Sequence, residues 1–221
     1  MKERFQAPDS GVRLDKLAHA TIEWEEDFLV DMVNRRLSFY SDGEVCSLAD
    51  VYERAEKADA KTRWLARLAG RSPRELIRLF DTIFREHDRR FSGSATRVPL
   101  NDDSLENGAD IYVKDVCEGH YDARAIAQVV RLGVVTFTNR DVQRTFRIND
   151  ASARNRIRSW EESGMVQLSG TRAAEGGQGG KPQNEYSVVD LRVARIIERG
   201  LVAADFTEDD ADLDEQDTQP D

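Results

Sequence analysis

Phe137-Thr138-Asn139-Arg140-Asp141-Val142 and, further on, Glu162-Ser163-Gly164-Met165-Val166 bracket a helix, a turn and a second helix that set the architecture. Thr138 with Asp141 three residues later is a helix start. The hydroxyl reaches a free backbone N–H of the first turn, and the carboxylate reaches back to the cap's own N–H. Val142 and Phe146 then fall on one side of a short helix. Arg147-Ile148-Asn149 makes a turn, and Asn149 or Asp150 caps a longer helix to about Ser163. On that helix Ala153, Ile157 and Trp160 lie within about 60° of one another, so they share a core face. Gly164 supplies the left-handed residue that ends it.

The pattern continues on both sides of this stretch. Asp122 caps a helix whose apolar residues are Ile126, Val129, Val130 and Leu132, and Val134-Val135-Thr136-Phe137 is a short β-rich run. Beyond Gly164, Met165–Ser169 and Asn184–Val188 read as strands, separated by the Gly-rich segment Thr171–Gln183. A last helix is expected from about Asp190 to Arg199, stopped by Gly200.

This order of helix, short strand, helix, turn, helix, strand, Gly-rich hairpin, strand and helix resembles a winged helix-turn-helix domain over residues 122–200. The resemblance implies a third helix in the DNA major groove and a hairpin across the backbone or minor groove. The face opposite Ala153, Ile157 and Trp160 carries Ser152, Asn155, Arg158 and Ser159, with Arg154 on the flank. Arg and Asn are the side chains that bond guanine and adenine edges in pairs. Arg172 and Lys181 stand at the shoulders of the wing, where phosphates would pass, and Arg140, Arg144 and Arg147 add backbone contacts. The same residues also read as an ordinary solvated face. Asp150, Glu161 and Glu162 lie on or near the helix and repel phosphate, and many winged helices dock proteins instead. DNA contact leads, and protein docking stays open.

Toward the N-terminus, Trp24, Phe28, Leu29, Val30, Met32, Val33 and Leu37 recur at helical spacing, closed by Ser41-Asp42-Gly43. Ser47 caps a short helix through Val51 and Tyr52, and residues 59–69 form a third with Trp64, Leu65 and Leu68. Ser72-Pro73-Arg74-Glu75 has a capping Ser, a Pro at the first helical position and a Glu three residues after the cap. Leu76, Ile77, Leu79, Phe80, Ile83 and Phe84 continue that helix toward His87. All three tryptophans fit core stripes. The expected organisation is a lead-in over 1–20, a helical bundle over 21–90, a Ser/Gly/Pro/Asn/Asp-rich linker over 91–109, a winged helix over 110–203 and an acidic tail over 204–221. The fold class is mainly α with a small β-wing.

The run Arg71-Ser72-Pro73-Arg74-Glu75-Leu76-Ile77-Arg78-Leu79-Phe80 resembles the lid helix of AAA+-like and STAND-type P-loop ATPases. That resemblance implies that Arg74 matches the arginine that senses nucleotide phosphates, and that a winged helix following a lid belongs to such a system. A P-loop itself is missing. Gly176-Gly177-Gln178-Gly179-Gly180-Lys181-Pro182 has Glu175 where the first Gly belongs and Pro182 where Ser/Thr belongs, and it lies between two strands. The chain therefore resembles the part of such a protein that follows the ATPase core. The structural alternative for Arg74 is a helix-start arginine held by Glu or solvent.

No catalytic residue, cofactor or metal site is expected. Gly-x-Ser-x-Gly is absent, and His120 near Cys117 lacks a second ligand pair. The expected partners are DNA, a P-loop ATPase core in cis or in trans, and a second copy of the chain. Two cysteines, no apolar leader and no run long enough to cross a membrane fit a cytoplasmic protein. The 221 residues carry a net charge of −10, distributed unevenly. Residues 122–200 hold 13 Lys/Arg against 9 Asp/Glu, whereas residues 201–221 hold no Lys/Arg and 9 Asp/Glu. A basic module beside an acidic tail suits a nucleic-acid contact.

Overall fold

The computed structural model describes residues 24–173 and 182–201. Within them the chain is mainly helical, with a three-stranded antiparallel sheet. Its elements are α1 (Glu26–Tyr40), α2 (Ala58–Leu68), α3 (Pro73–Phe91), α4 (Asp102–His120), α5 (Ala123–Leu132), β1 (Thr136–Thr138), α6 (Asn139–Phe146), α7 (Asp150–Glu162), β2 (Val166–Arg172), β3 (Gln183–Val188) and α8 (Leu191–Arg199). Two 3₁₀ turns, Leu48–Asp50 and Ala55–Lys57, stand between α1 and α2. The lead-in, the Gly-rich tip of the hairpin with Lys181, and the acidic tail lie outside the described residues.

The expected linker is shorter than its composition indicates. Residues 102–109 are the first turns of α4, not connection. Asn101 caps the helix by accepting the Ser104 N–H at 2.9 Å. Asp102 and Asp103 suit the positive end of its dipole. Leu105, Ala109, Tyr112, Val113, Val116 and Cys117 are all buried, at the spacing of one helical face. Gly108, which reads as a breaker, has a packing role. A Cβ there would meet the Ile83 Cα at 2.6 Å, so α3 and α4 touch backbone to backbone. The connection over 92–101 is fastened toward its C-terminal end. Val51 and Glu53 exchange backbone hydrogen bonds with Leu100 at 2.8 and 2.9 Å. His87 Nε2 donates to the Val98 carbonyl at 3.0 Å, and Ser104 Oγ lies 3.0 Å from Nδ1. His87 thus sits within α3, which runs on to Phe91, rather than at its end.

α4 joins the two halves. It lies along α3 on one side and α8 on the other, and one continuous hydrophobic cluster runs from Leu29 to Ile196. A charged network reinforces the α4–α8 seam: Arg195 pairs with Asp110 at 2.6 Å and Glu106 at 2.7 Å, and Arg199 reaches Asp110 at 2.9 Å. Burial alone would raise the Glu106 carboxyl, but Arg195 and Lys61 hold it below the usual range. Arg195 also lies over the Trp64 ring, 5.1 Å from its centroid.

Two local expectations change. Trp24 is 39% exposed and Phe28 61% exposed, because α1 buries only Leu29 and Val33 fully. At the start of α3, Ser72 accepts the Glu75 N–H at 3.4 Å, but the Glu75 carboxylate turns away to accept the Tyr112 hydroxyl at 3.2 Å. The reciprocal arm of that cap is absent.

The strand order is β1-β3-β2, with Phe137 opposite Tyr186 and Val166 opposite Val188. A register shift between Leu168 and Gly170 bends the β2 side of the hairpin. Asp190 caps α8, accepting the Arg192 N–H at 2.8 Å, the Arg192 guanidinium and the Tyr121 hydroxyl.

Candidate nucleic-acid interface

α7 is set by its two ends and its inner face. Asn149 accepts the Ser152 N–H at 2.9 Å, and Gly164 follows the helix at φ 78°. Ala153, Ile157 and Trp160 are buried, as the periodicity requires. The Trp160 indole fixes the roll of the helix. Its N–H donates to Gln128 Oε1 on α5 at 3.2 Å, and its ring meets Phe137 edge-on with centroids 5.8 Å apart. With that face locked inward, Ser152, Arg154, Asn155 and Arg158 are all exposed.

α6 is anchored by Asp141, which accepts both the Thr138 N–H and its hydroxyl at 2.8 Å. Arg147 turns the chain at φ 55°. Asp150 then ties α6 to α7. It accepts Asn139 Nδ2 at 2.9 Å and Gln143 Nε2 at 3.4 Å, and it pairs with Arg154 at 2.6 Å. The carboxylate expected to repel phosphate is therefore largely matched, and Arg154 shares its charge with it. Among the described residues Arg158 makes no ion pair. Arg140 and Arg147 are exposed beside α7, and Arg144 lies 3.8 Å from Asp141.

The residues expected at the wing divide. Arg172, expected at a shoulder facing phosphate, is 41% exposed but shares its charge with carboxylates of the protein. It pairs with Glu185 across the hairpin at 2.6 Å and approaches Asp141 at 3.8 Å, bracing β2, β3 and α6. Lys181 lies outside the described residues. Arg74 is exposed in the first turn of α3, a helix that packs on α1, α2 and α4, so the structure does not bring it to α7. Cys117 is buried, its thiol pushed up to about 12 by burial and the nearby Asp190 charge, whereas His120 is exposed with its ring against Tyr121.

One basic feature escaped the sequence reading. Arg124, Gln128 and Arg131 follow one another at i, i+4 and i+7 along α5 and so share a face. Arg131 and Arg156 both stand over the Phe146 ring, 5.6 and 4.4 Å from its centroid. The α5 spacing was visible in the sequence. The arrival of Arg156 from α7 depends on the roll that Trp160 imposes. Compared with family models, curated proteins and solved structures, the chain matches none.

Proposed function

We propose that residues 122–200 form a winged helix-turn-helix module that contacts DNA without catalysing a reaction, as the regulatory part of a P-loop ATPase system. One observation carries the DNA contact. α7 is locked by Trp160 so that Ser152, Arg154, Asn155 and Arg158 form its outward face, next to a twisted antiparallel hairpin. That face is polar and cationic. None of the large exposed apolar side chains of the described residues lies on α7 itself; one, Leu168, is on β2 of the neighbouring hairpin. A protein-docking surface on α7 would call for an apolar centre, so the chemistry favours phosphate and base edges. The ATPase link rests on the resemblance of residues 21–90 to a lid. It extends the proposal to a nucleotide-bearing core, in cis or in trans, toward which the exposed Arg74 would point.

The test is fluorescence-anisotropy titration of labelled duplex DNA at low and moderate salt. Affinity falls steeply with salt, because each neutralised phosphate releases counterion. Arg154→Ala with Arg158→Ala weakens binding and lowers the slope of log K against log salt by up to about two, one per phosphate-facing cation. Binding by the double variant that matches the parent in strength and slope removes α7 from the interface. No binding by either chain overturns the reading.

A further inference from the structure

α1 packs mainly on α2 and touches α3 over a short stretch. Between the C-terminal half of α1 and α3 lies an open groove of about 360 Å³. Leu37 lines it from α1, Val45 and Val51 from the connection that follows, and Ile77, Phe80 and Phe84 from α3. Phe80 and Phe84 stack along the α3 wall with ring centroids 6.0 Å apart. The lining is almost wholly apolar, and the rim carries one charge of each sign, Arg36 on α1 and Asp81 on α3. Open apolar surface of this kind marks a place where another apolar group binds.

The same chain holds a segment that matches it. Of the residues outside those described, 174–181 include four glycines and offer only Ala174 as an apolar side chain. Residues 202–221 hold nine carboxylates, a charge that an apolar groove does not admit. Residues 12–22 differ. Leu14, Leu17, Ala18 and Ile22 recur at helical spacing and fall within about 140° of one another, with Arg13 at one edge of that face and Asp15 at the other. An apolar centre between opposite charges is what the groove presents in return. The segment also reaches. The α1 residues of the groove, Val33 to Tyr40, lie seven to fourteen residues past Glu26, about 10–21 Å along the axis. Leu14 to Ile22 in helical form covers about 12 Å, and the four residues from there to Glu26 add up to about 13 Å.

We propose that residues 12–22 dock in cis as an amphipathic helix in the α1–α3 groove. Leu14 and Leu17 seat against Leu37, Phe80 and Phe84, with Asp15 beside Arg36 and Arg13 beside Asp81. The groove lies on the N-terminal helical bundle, so the docking is independent of the DNA contact proposed for α7.

The full chain provides the test. A nitroxide at Lys16→Cys, in a Cys46→Ser background, is read by paramagnetic broadening of backbone amide signals; Cys117 is buried. Docking broadens Leu37, Val45, Phe80 and Phe84. The broadening persists near about 0.5 M salt, where charge pairing is strongly screened. It is lost at those four residues when Leu14 and Leu17 both become Ser, whereas residues 26–29, next to the tether, stay broadened. Broadening at the four residues that survives the Ser pair, vanishes with salt, or is no stronger than on α5–α8 overturns the docking. A second sample mixes nitroxide-bearing chain with isotope-labelled chain that carries none. Broadening of the same four residues there assigns the groove to a second copy and overturns docking in cis.

Discussion

Gly108 shows how one residue decides a helix–helix distance. Glycine lowers helix propensity, and beside Asn107 it makes the stretch read as connection. Its absent side chain is what lets α4 approach Ile83 so closely. Gly108→Ala puts a methyl 2.6 Å from a main-chain carbon, so α3 and α4 must separate. The expected loss is about 1–3 kcal/mol, the usual range for overpacking a close contact. Urea unfolding measures it, and an Ala variant as stable as the parent would show that the two backbones are not held together there. Trp160 teaches the opposite lesson. Its place on the inner face of α7 was legible from spacing alone, and with it the outward set Ser152, Arg154, Asn155 and Arg158. The pairings of Arg172 with Glu185 and of Arg154 with Asp150 were not drawn from the sequence, for different reasons. The first depends on which strand stands opposite, which spacing along one element does not carry; the second is an i, i+4 pair on α7, open to the spacing argument but in competition with the Asn139 and Gln143 bonds that Asp150 also accepts.

Elements with strong caps were the readable ones. α6, α7 and α8 begin at residues whose side chains accept backbone N–H groups, and each was expected within a few residues of where it lies. α4 failed because its start and middle use Asn, Asp and Gly, the residues of turns, for capping, dipole and close packing. The cap of α8 also makes a pH prediction. Burial alone would raise the Asp190 carboxyl. The Arg192 and Tyr121 hydrogen bonds outweigh it and hold the group below the ordinary carboxylate range. A lowered folded value means that the contribution is complete above the unfolded value, about 3.9, and is lost as pH falls through the lower folded one. Asp190 and Arg192 are 8% and 18% exposed, so removing the carboxylate leaves a charge with little solvent. Asp190→Asn is expected to cost on the order of 3 kcal/mol at pH 7. Urea unfolding at pH 7, 5 and 3 should show the gap to the parent constant between the first two and narrowed at the third. A gap unchanged at pH 3 would mean that the carboxylate's charge is not what holds the α8 cap.

At the scale of the molecule, the sequence reads as two units with a spacer, and the structure joins them through one helix. Composition drew the boundary between residues 90 and 110, where apolar residues thin out. The joining contacts are α3 against α4 and α4 against α8, long-range pairings that local pattern cannot report. Trp64 lies in the first unit and Trp160 in the second. Arg195 reaches from α8 to the Trp64 ring and to Asp110 on α4, so the seam carries both apolar and charged coupling. Two independent units would melt separately. A shared core with a fastened seam unfolds as one cooperative step. Single-tryptophan chains make this measurable: Trp24→Phe with Trp160→Phe reports on the first unit, and Trp24→Phe with Trp64→Phe on the second. Each chain's fluorescence should follow the same urea midpoint as its own far-ultraviolet circular dichroism. Asp110→Ala, which leaves Arg195 only its rim partner Glu106, should lower both midpoints together, in a Trp64 chain and a Trp160 chain alike. A midpoint that shifts for Trp160 while Trp64 stays put would place the cooperative boundary at the α4–α8 seam. The α7 face proposed to contact DNA would then sit on a unit free to move against the N-terminal helical bundle.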